Sequence, residues 1–508
     1  MSGPAMSPSY RKTISVADEA GTRRLADDIA AIARPGDVIA LHGDLGMGKS
    51  AFARAVVRRL AGDPGLEVPS PTFTLLQSYE TARFPVHHFD LYRLADPDEL
   101  IEIGFAEAVG EGLSLIEWPD RAGDELPAER LNIVISEGEG LDGRRFSLEA
   151  RDGGWADRLD ETFAVRDLLG RAGFQGAERR HLHGDASTRS FERATAGGDA
   201  AVVMRWPAWR AYMKRADDDR YEEIVHLADN LTAFSAIADT LRRHGFRSPR
   251  VLDCDIKRRL MLVEDLGSDG IVRDDAPIAE RYLVAAQRLA DLAAVAWPEI
   301  AVDDAGGRWP MPRYDRRALA TEAGLFAAWY MPRLTGAPMA ADARAEWDGL
   351  WDDLLARFDD DQRRLVLRDY HSPNILWQAS GDPIGMIDFQ DGLLGSPAYD
   401  FAALVTDARV DIPDELAAAM TAAYVDRRRA FDAGFDAADF AERAVILGAQ
   451  RNAKILGRFV EYAARTGRSH HLRFLPRIRR NFEKALDDKV LAGVKLWYER
   501  LAPPAVRP

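Results

Sequence analysis

The sequence predicts two folds in succession: an α/β domain organised around a phosphate-binding loop, then an α+β domain with a small β-rich lobe and a large helical one. Three observations predict this order. A glycine-rich run, Gly43-Asp-Leu-Gly-Met-Gly-Lys49-Ser50, lies between an apolar stretch and a helical one. Short apolar runs alternate with turns and helical patterns through the first 150 residues. A few strand signals then give way to long Ala/Leu/Arg-rich helical patterns from Ala276 to Arg500. A chain of 508 residues is also longer than one hydrophobic core usually serves.

The first domain is read from its apolar runs at Val38–Leu41, Val86–Phe89, Ser114–Ile116, Leu131–Ile135 and Arg145–Leu148, which alternate with helices or turns as an α/β sheet requires. Gly43, Gly46 and Gly48 free backbone N–H groups to turn toward a phosphate. The helix pattern Ala51–Leu60, closed by Gly62, presents its positive end to the same place. In a G-x-x-x-x-G-K-S loop Lys49 reaches the β- and γ-phosphates and Ser50 gives its hydroxyl to Mg²⁺, so ATP with Mg²⁺ is the expected ligand. Leu113-Ser-Leu-Ile-Glu117 is an apolar strand ending in a carboxylate, suited to hold Mg²⁺ directly or through water. Asp90, ending Val86-His-His-Phe-Asp90, is its rival for that role. Ser70-Pro-Thr72-Phe-Thr74 offers hydroxyls on a proline-stiffened loop that can close on a γ-phosphate.

The αβ rhythm stops at Asp152-Gly-Gly154, and a linker is expected between Ala150 and Glu161, with a charged helical stretch from Ala156 to Arg171. Beyond it, strand signals fall at Phe191–Ala194, Ala201–Arg205, Arg250–Cys254 and Leu260–Glu264. The expected domains are residues 1–155, a small lobe at 156–267 and a large lobe at 268–508. The formal charge of −15 argues against an extended nucleic-acid surface. The single cysteine, Cys254, excludes internal disulfides and cysteine-rich metal sites and is expected to be a small buried residue. No apolar run approaches the roughly 18 residues of a membrane span and no signal-peptide core opens the chain. A cytoplasmic protein without membrane contact is expected.

The strings HGDLGMGKS, SPTFTL, HFDLYRL and LIEWPDR, in this order and spacing, closely resemble the bacterial TsaE family over nearly all of residues 13–150. That family is the ATPase subunit of the machinery that makes threonylcarbamoyl-adenosine in tRNA. The resemblance implies ATP hydrolysis, with Lys49 and Ser50 on phosphate and metal, Thr72 in the switch, Asp90 and Glu117 on the metal or water side, and Trp118 near the nucleotide. It also implies TsaD and TsaB as partner subunits, with tRNA reached only through them.

In the second domain His-Gly-Asp occurs at His183–Asp185, as it does at His42–Asp44, yet neither aspartate is followed five positions later by an asparagine. Leu367-Arg-Asp369-Tyr-His-Ser-Pro-Asn374 has that step, and Ile384-Gly-Met-Ile-Asp388 supplies a strand ending in a second carboxylate. Asp369 is thus the candidate to accept or orient the proton of a substrate hydroxyl. Asn374 and Asp388 are the candidate metal ligands. His371 either faces this site or hydrogen-bonds the loop. Ser187, in Gly184-Asp-Ala-Ser-Thr-Arg-Ser-Phe191, sits where kinases place a loop over the phosphates. Val263-Glu264-Asp-Leu266-Gly267 reads as a strand-to-hinge step whose backbone meets adenine.

The string GDAS-x-R-x-F, then EDLG, RDYHSPN, IDFQD and Gly395-Ser-Pro-Ala-Tyr399-Asp400 resembles the AmgK family of the aminoglycoside phosphotransferases, from about residue 165 to 495. The whole is then an α/β P-loop NTPase domain followed by a two-lobed protein-kinase-like domain. The resemblance implies phosphorylation of the anomeric hydroxyl of N-acetylmuramic acid and N-acetylglucosamine in cell-wall recycling. Tyr399 and Asp400 would then anchor the segment after the metal-binding aspartate. One departure is visible: Ala200-Ala-Val-Val-Met-Arg205 lacks the strand lysine of protein kinases, and Arg205, paired with Glu222 or Glu223, is the candidate replacement. That missing lysine supports an alternative, a pseudokinase docking module. Acidic stretches at Asp217–Asp219 and Asp359–Asp361 support another, a kinase for aminoglycosides or homoserine.

Overall fold

The computed structural model describes residues 10–96, 99–151, 154–182, 189–207 and 221–502. By compactness the chain divides into two units. One comprises 1–182, 192–203 and 253–262; the other comprises 183–191, 204–252 and 263–508.

All five apolar runs of the first domain are strands of one sheet. Its strands are β1 (Tyr10–Val16), β2 (Val38–His42), β3 (Leu76–Tyr79), β4 (Val86–Asp90), β5 (Leu113–Glu117), β6 (Arg130–Glu137) and β7 (Arg144–Arg151), in the order β1-β7-β6-β2-β5-β4-β3. The inner strands β6, β2, β5 and β4 run parallel and β1, β7 and β3 pair antiparallel. The parallel core explains the continuous apolar runs, since β4 and β5 are buried along their whole length. The two strands without a sequence signal, β1 and β3, lie at the edges. There only one face is covered and β1 alternates half-buried with exposed residues. Helices α1 (Glu19–Ile32), α2 (Lys49–Ala61), α3 (Glu99–Glu102) and α4 (Phe105–Glu111) complete this domain. Asp18 caps α1 by accepting the Gly21 N–H at 2.7 Å, and Gly62 ends α2 in the left-handed region at φ +68°.

Where a linker was expected, the chain enters α5 (Trp155–Arg171), buried on two sides. Trp155, Leu159 and Phe163 join the core of the first sheet. Ala164, Val165, Leu168 and Leu169 pack instead with Ala194, Ala201, Val203, Leu260 and Leu262. Those residues come from a second, five-stranded sheet of β8 (Glu178–Leu182), β9 (Ser190–Ala196), β10 (Asp199–Arg205), β11 (Val251–Asp255) and β12 (Leu260–Glu264), ordered β11-β12-β10-β9-β8. One helix therefore fills two cores. Cys254 is exposed rather than buried, because β11 is an edge strand and turns this side chain outward.

Charge reinforces the same seam. Asp28 of α1 is buried and accepts from Arg166 of α5 at 2.7 and 2.8 Å and from Arg179 of β8 at 2.9 Å, while Arg179 also donates to Glu192 of β9 at 2.7 Å. Arg158 of α5 holds Asp37, just before β2, through both carboxylate oxygens at 2.6 and 2.9 Å.

The other unit is mainly helical. Its long helices include Ala279–Ala294, Ala341–Leu355, Asp414–Phe431 and Ala437–Thr466. Two small antiparallel strand pairs, 364–366 with 393–395 and 375–377 with 384–386, are joined by the two segments that carry the candidate catalytic residues. Among the described residues no helix is long and apolar enough to cross a membrane.

Asp28→Ala leaves two guanidinium groups buried without their shared carboxylate. It should destabilise the unit that contains the first sheet by about 3–5 kcal/mol, read as an earlier transition in urea-induced unfolding. An unchanged midpoint would show that the network contributes nothing.

Candidate active sites

The first site is built at the ends of the parallel strands. At φ +141° Gly43 turns the chain out of β2, and a Cβ there would stand 2.5 Å from the Ile135 carbonyl oxygen, so only glycine fits. Gly46 and Gly48 also have positive φ, and α2 then begins at Lys49. The Lys49 ammonium donates to the carbonyls of Gly43 at 2.6 Å and Asp44 at 2.9 Å and lies 3.8 Å from the centre of the Trp118 ring. Burial lowers its pKa, while Glu117, Asp90 and Asp44 pull the other way.

The structure separates the two rival carboxylates. The Ser50 hydroxyl donates to Glu117 at 2.9 Å, and the other oxygen of Glu117 lies 2.9 Å from Nε2 of the buried His88. Asp90, directly beside Glu117 in the parallel register, instead accepts from Ser70 at 2.8 Å and Thr72 at 2.7 Å. Glu117 thus sits with the Ser50 hydroxyl, and Asp90 holds the Ser70–Thr72 loop. Trp118 takes a left-handed backbone at φ +56° and packs on Tyr92. His88 orients Glu117. Its place in the HFD string was visible, but its partner is a residue of another strand.

The second site is organised by buried carboxylates behind the loop that bears Asp369. Asp400 accepts the N–H groups of Leu367 at 2.6 Å and Arg368 at 2.8 Å, and burial raises its pKa to about 7 against those two bonds. It therefore ties the segment after Asp388 to the loop before Asp369. Asp407 accepts the Ser372 N–H at 2.8 Å from the far side of the same loop. Arg368, at φ +72°, is buried against Glu322 and donates to the Val225 carbonyl at 2.8 Å. Lys454 lies 3.0 Å from the same glutamate, and the Tyr314 hydroxyl donates to it. Burial alone would raise the pKa of Glu322, but Arg368 and Lys454 hold it at about 2.

With its loop so held, Asp369 keeps 40% of its side chain accessible. Asn374 donates to the Asp369 carbonyl at 3.0 Å and to Asp388 at 3.3 Å, which brings together the three residues expected to act as one group. Asp388 has a left-handed backbone, φ +61°, and also accepts from Gln390 at 3.1 Å. His371 stands 3.9 Å from Asp369, but burial and the nearby Arg409 hold it well below its usual pKa. It is a neutral loop residue.

The other expected nucleotide contacts are only partly placed. Ser187 lies outside the described residues. Arg205 ends β10, half-buried, and Glu222 is buried on the short helix Tyr221–Ile224. The Glu264 carboxylate accepts from Arg247 at 2.6 Å and Arg250 at 3.3 Å, and the Leu266 carbonyl accepts from Gln378 at 2.9 Å.

The phosphotransferase enzyme family matches residues 178–434, and the threonylcarbamoyl adenosine biosynthesis protein TsaE matches residues 16–146. The chain belongs to the phosphotransferase enzyme family. An N-acetylmuramate/N-acetylglucosamine kinase of Caulobacter vibrioides is 32% identical over 363 residues, which cover 67% of this chain and 96% of that kinase. The TsaE protein of Rickettsia felis is 44% identical over 103 residues, 20% of this chain and 60% of that protein. A crystal structure of an aminoglycoside phosphotransferase-like protein from Ralstonia eutropha aligns with 67% of this chain and 98% of its own at 13% identity and a TM-score of 0.44. The protein is therefore a TsaE-type domain fused to a phosphotransferase-family domain, and Asp369, Asn374 and Asp388 all lie in the phosphotransferase match.

Glu322 makes stability acid-sensitive. Its folded pKa of about 2 lies below the ordinary 4.5, so its contribution is complete above the latter and lost as pH falls toward the former. Glu322→Gln should cost about 3–5 kcal/mol at pH 7. Urea unfolding at pH 7 and in acid should show the gap from the parent protein narrowing in acid.

Proposed function

We propose that the protein is bifunctional. Its first part, residues 1–155, is an ATPase serving threonylcarbamoyl-adenosine formation in tRNA. Its second, with a small lobe at 156–267 and a large lobe at 268–508, is an ATP-dependent kinase of the anomeric hydroxyl of N-acetylmuramic acid or N-acetylglucosamine. The observation that carries the second reading is the joint placement of Asp369, Asn374 and Asp388 on a loop held by Asp400 and Asp407. A chain 32% identical to an N-acetylmuramate/N-acetylglucosamine kinase supports it. In this reading the protein works in the cytoplasm, its first part meets TsaD- and TsaB-like subunits, and its second serves cell-wall recycling.

Both sites offer oxygen donors of the kind Mg²⁺ takes: the Ser50 hydroxyl with Glu117, and Asp388 with the Asn374 amide. Bound there, the metal offsets charge on the phosphates. The protein's own groups do the rest. In the first site, the loop amides and Lys49 bind phosphate. Glu117, oriented by His88, holds water or metal, and Thr72, held by Asp90, belongs to the closing loop. In the second site, Asp369 accepts the proton of the sugar's anomeric hydroxyl as its oxygen bonds to the γ-phosphorus and the bond to ADP breaks. An anomeric hydroxyl is more acidic than an ordinary alcohol, so a half-exposed carboxylate is a sufficient base. With the Glu264 carboxylate and the Leu266 carbonyl engaged elsewhere, adenine meets the remaining backbone groups of that segment. Arg205 takes the place of the strand lysine.

Asp369→Asn should lower sugar phosphorylation by roughly 10²–10⁴-fold with little change in ATP affinity. Phosphorus NMR of the parent's product should show a glycosyl-1-phosphate that is labile in mild acid. A stable phosphate on the primary hydroxyl would refute the anomeric assignment. Lys49→Ala should abolish ATP binding at the first site and leave sugar phosphorylation intact. One mutation silencing both activities would overturn the two-site reading.

A further inference from the structure

Asp388 has a cationic neighbour that lies far from it in sequence. Arg189, on the chain just before β9, donates from Nη2 to Asp388 Oδ1 at 2.5 Å, and its side chain is only 11% exposed. The guanidinium also lies over the rings of Trp206, at 5.4 Å, and Phe191, at 5.9 Å. Asp391 and Asp369 add their negative charge around it. It is therefore a buried cation set among three carboxylates, two of them assigned above to catalysis and metal binding. Gln390 donates to the same oxygen of Asp388 and Asn374 to the other, so both oxygens of the carboxylate accept from the protein's own donors.

We propose that Arg189 is a resident counter-cation of the phosphotransfer site, which holds Asp388 in position and must be displaced from it before a divalent metal binds. This rests on the kinase reading of the second domain and concerns a residue to which that reading gave no role. The physical case is competition for one oxygen. A divalent cation approaches a carboxylate oxygen to about 2.1 Å, and Asp388 Oδ1 already accepts two N–H groups, one from a full positive charge. Metal and guanidinium on one carboxylate oxygen repel each other at such range. Arg189 must withdraw, and the Trp206 and Phe191 ring faces beside it provide a place for the planar cation. A lysine is a poorer substitute, since the weakly hydrated, planar guanidinium suits a site with two aromatic rings beside it.

The test is metal binding without nucleotide or sugar. Mn²⁺ titrations of the full chain, read by the electron paramagnetic resonance of free Mn²⁺, compare the parent with Arg189→Gln, Arg189→Lys and Asp388→Asn. The sites lost in Asp388→Asn define binding at Asp388. Arg189→Gln should bind Mn²⁺ there roughly tenfold more tightly or better. Arg189→Lys should fall between it and the parent. A purely structural Arg189 predicts the opposite sign, weaker binding in a loosened site. Unchanged or weaker Mn²⁺ affinity in an Arg189→Gln protein that melts like the parent overturns the proposal. If that variant does not fold, unchanged or weaker affinity in Arg189→Lys overturns it. Tighter Mn²⁺ binding in the variants, together with a parent that phosphorylates no amino sugar, would leave the counter-cation standing and remove only the sugar-kinase reading.

Discussion

Seating carboxylates at buried strand ends, each matched to donors or a cation, is the constraint on which the rest of this structure depends. Phosphoryl transfer needs acids where metal and phosphate meet, and such acids repel one another and are poorly solvated. The protein answers in the same way twice. In the first site Lys49, beside Glu117 and Asp90, is the local cation, while Ser50, His88, Ser70 and Thr72 each donate to one of the two carboxylates. In the second site Arg189 is the cation and Asn374 and Gln390 the neutral donors around Asp388. The two folds are unrelated, so the likeness follows from the charge problem they share.

Behind the second site the same logic sets the backbone. Arg368 and Asp388 both occupy the left-handed region, an unfavourable place for residues with side chains. The surrounding bonds explain why the chain stays there. Asp400 ties down the two amides before Asp369, Asp407 ties down Ser372, and the Glu322 cluster locks the Arg368 side chain. Each is a buried polar group that would be costly alone, and together they fix the loop that bears Asp369. Asp369, the group so fixed, is also the most accessible acid of the set.

The seam along α5 shows a different economy. Its apolar residues are divided between two cores, and Asp28, Arg166 and Arg179 connect α1, α5 and β8 through one buried carboxylate. A helix apolar on two faces cannot serve as a solvated tether. The composition change near Asp152 was genuine, but it marked the start of a shared helix.

How much was legible follows from the range of each interaction. Motifs whose residues are close in sequence could be read directly: the Gly43–Ser50 loop, the Asp369–Asn374 step, and the strands ending in Glu117 and Asp388. Local geometry fixes them, because a glycine turn or a five-residue step works in any chain that forms it. The buried parallel strands were equally plain, since continuous apolar runs have few other uses. The edge strands β1 and β3 were not, because half-covered edges carry mixed residues. Partners remote in sequence were beyond reach: His88 with Glu117, Asp400 with Leu367, Glu322 with Arg368 and Arg189 with Asp388. Arg166, Arg179 and Arg189 look alike in a chain rich in charge, and burial alone separates an arginine on a solvated face from one that pairs with a carboxylate across the fold. The sequence by itself determined the two chemistries and their order. Only the tertiary structure decided which charges meet, because the pairing of buried ions depends on contacts across the fold.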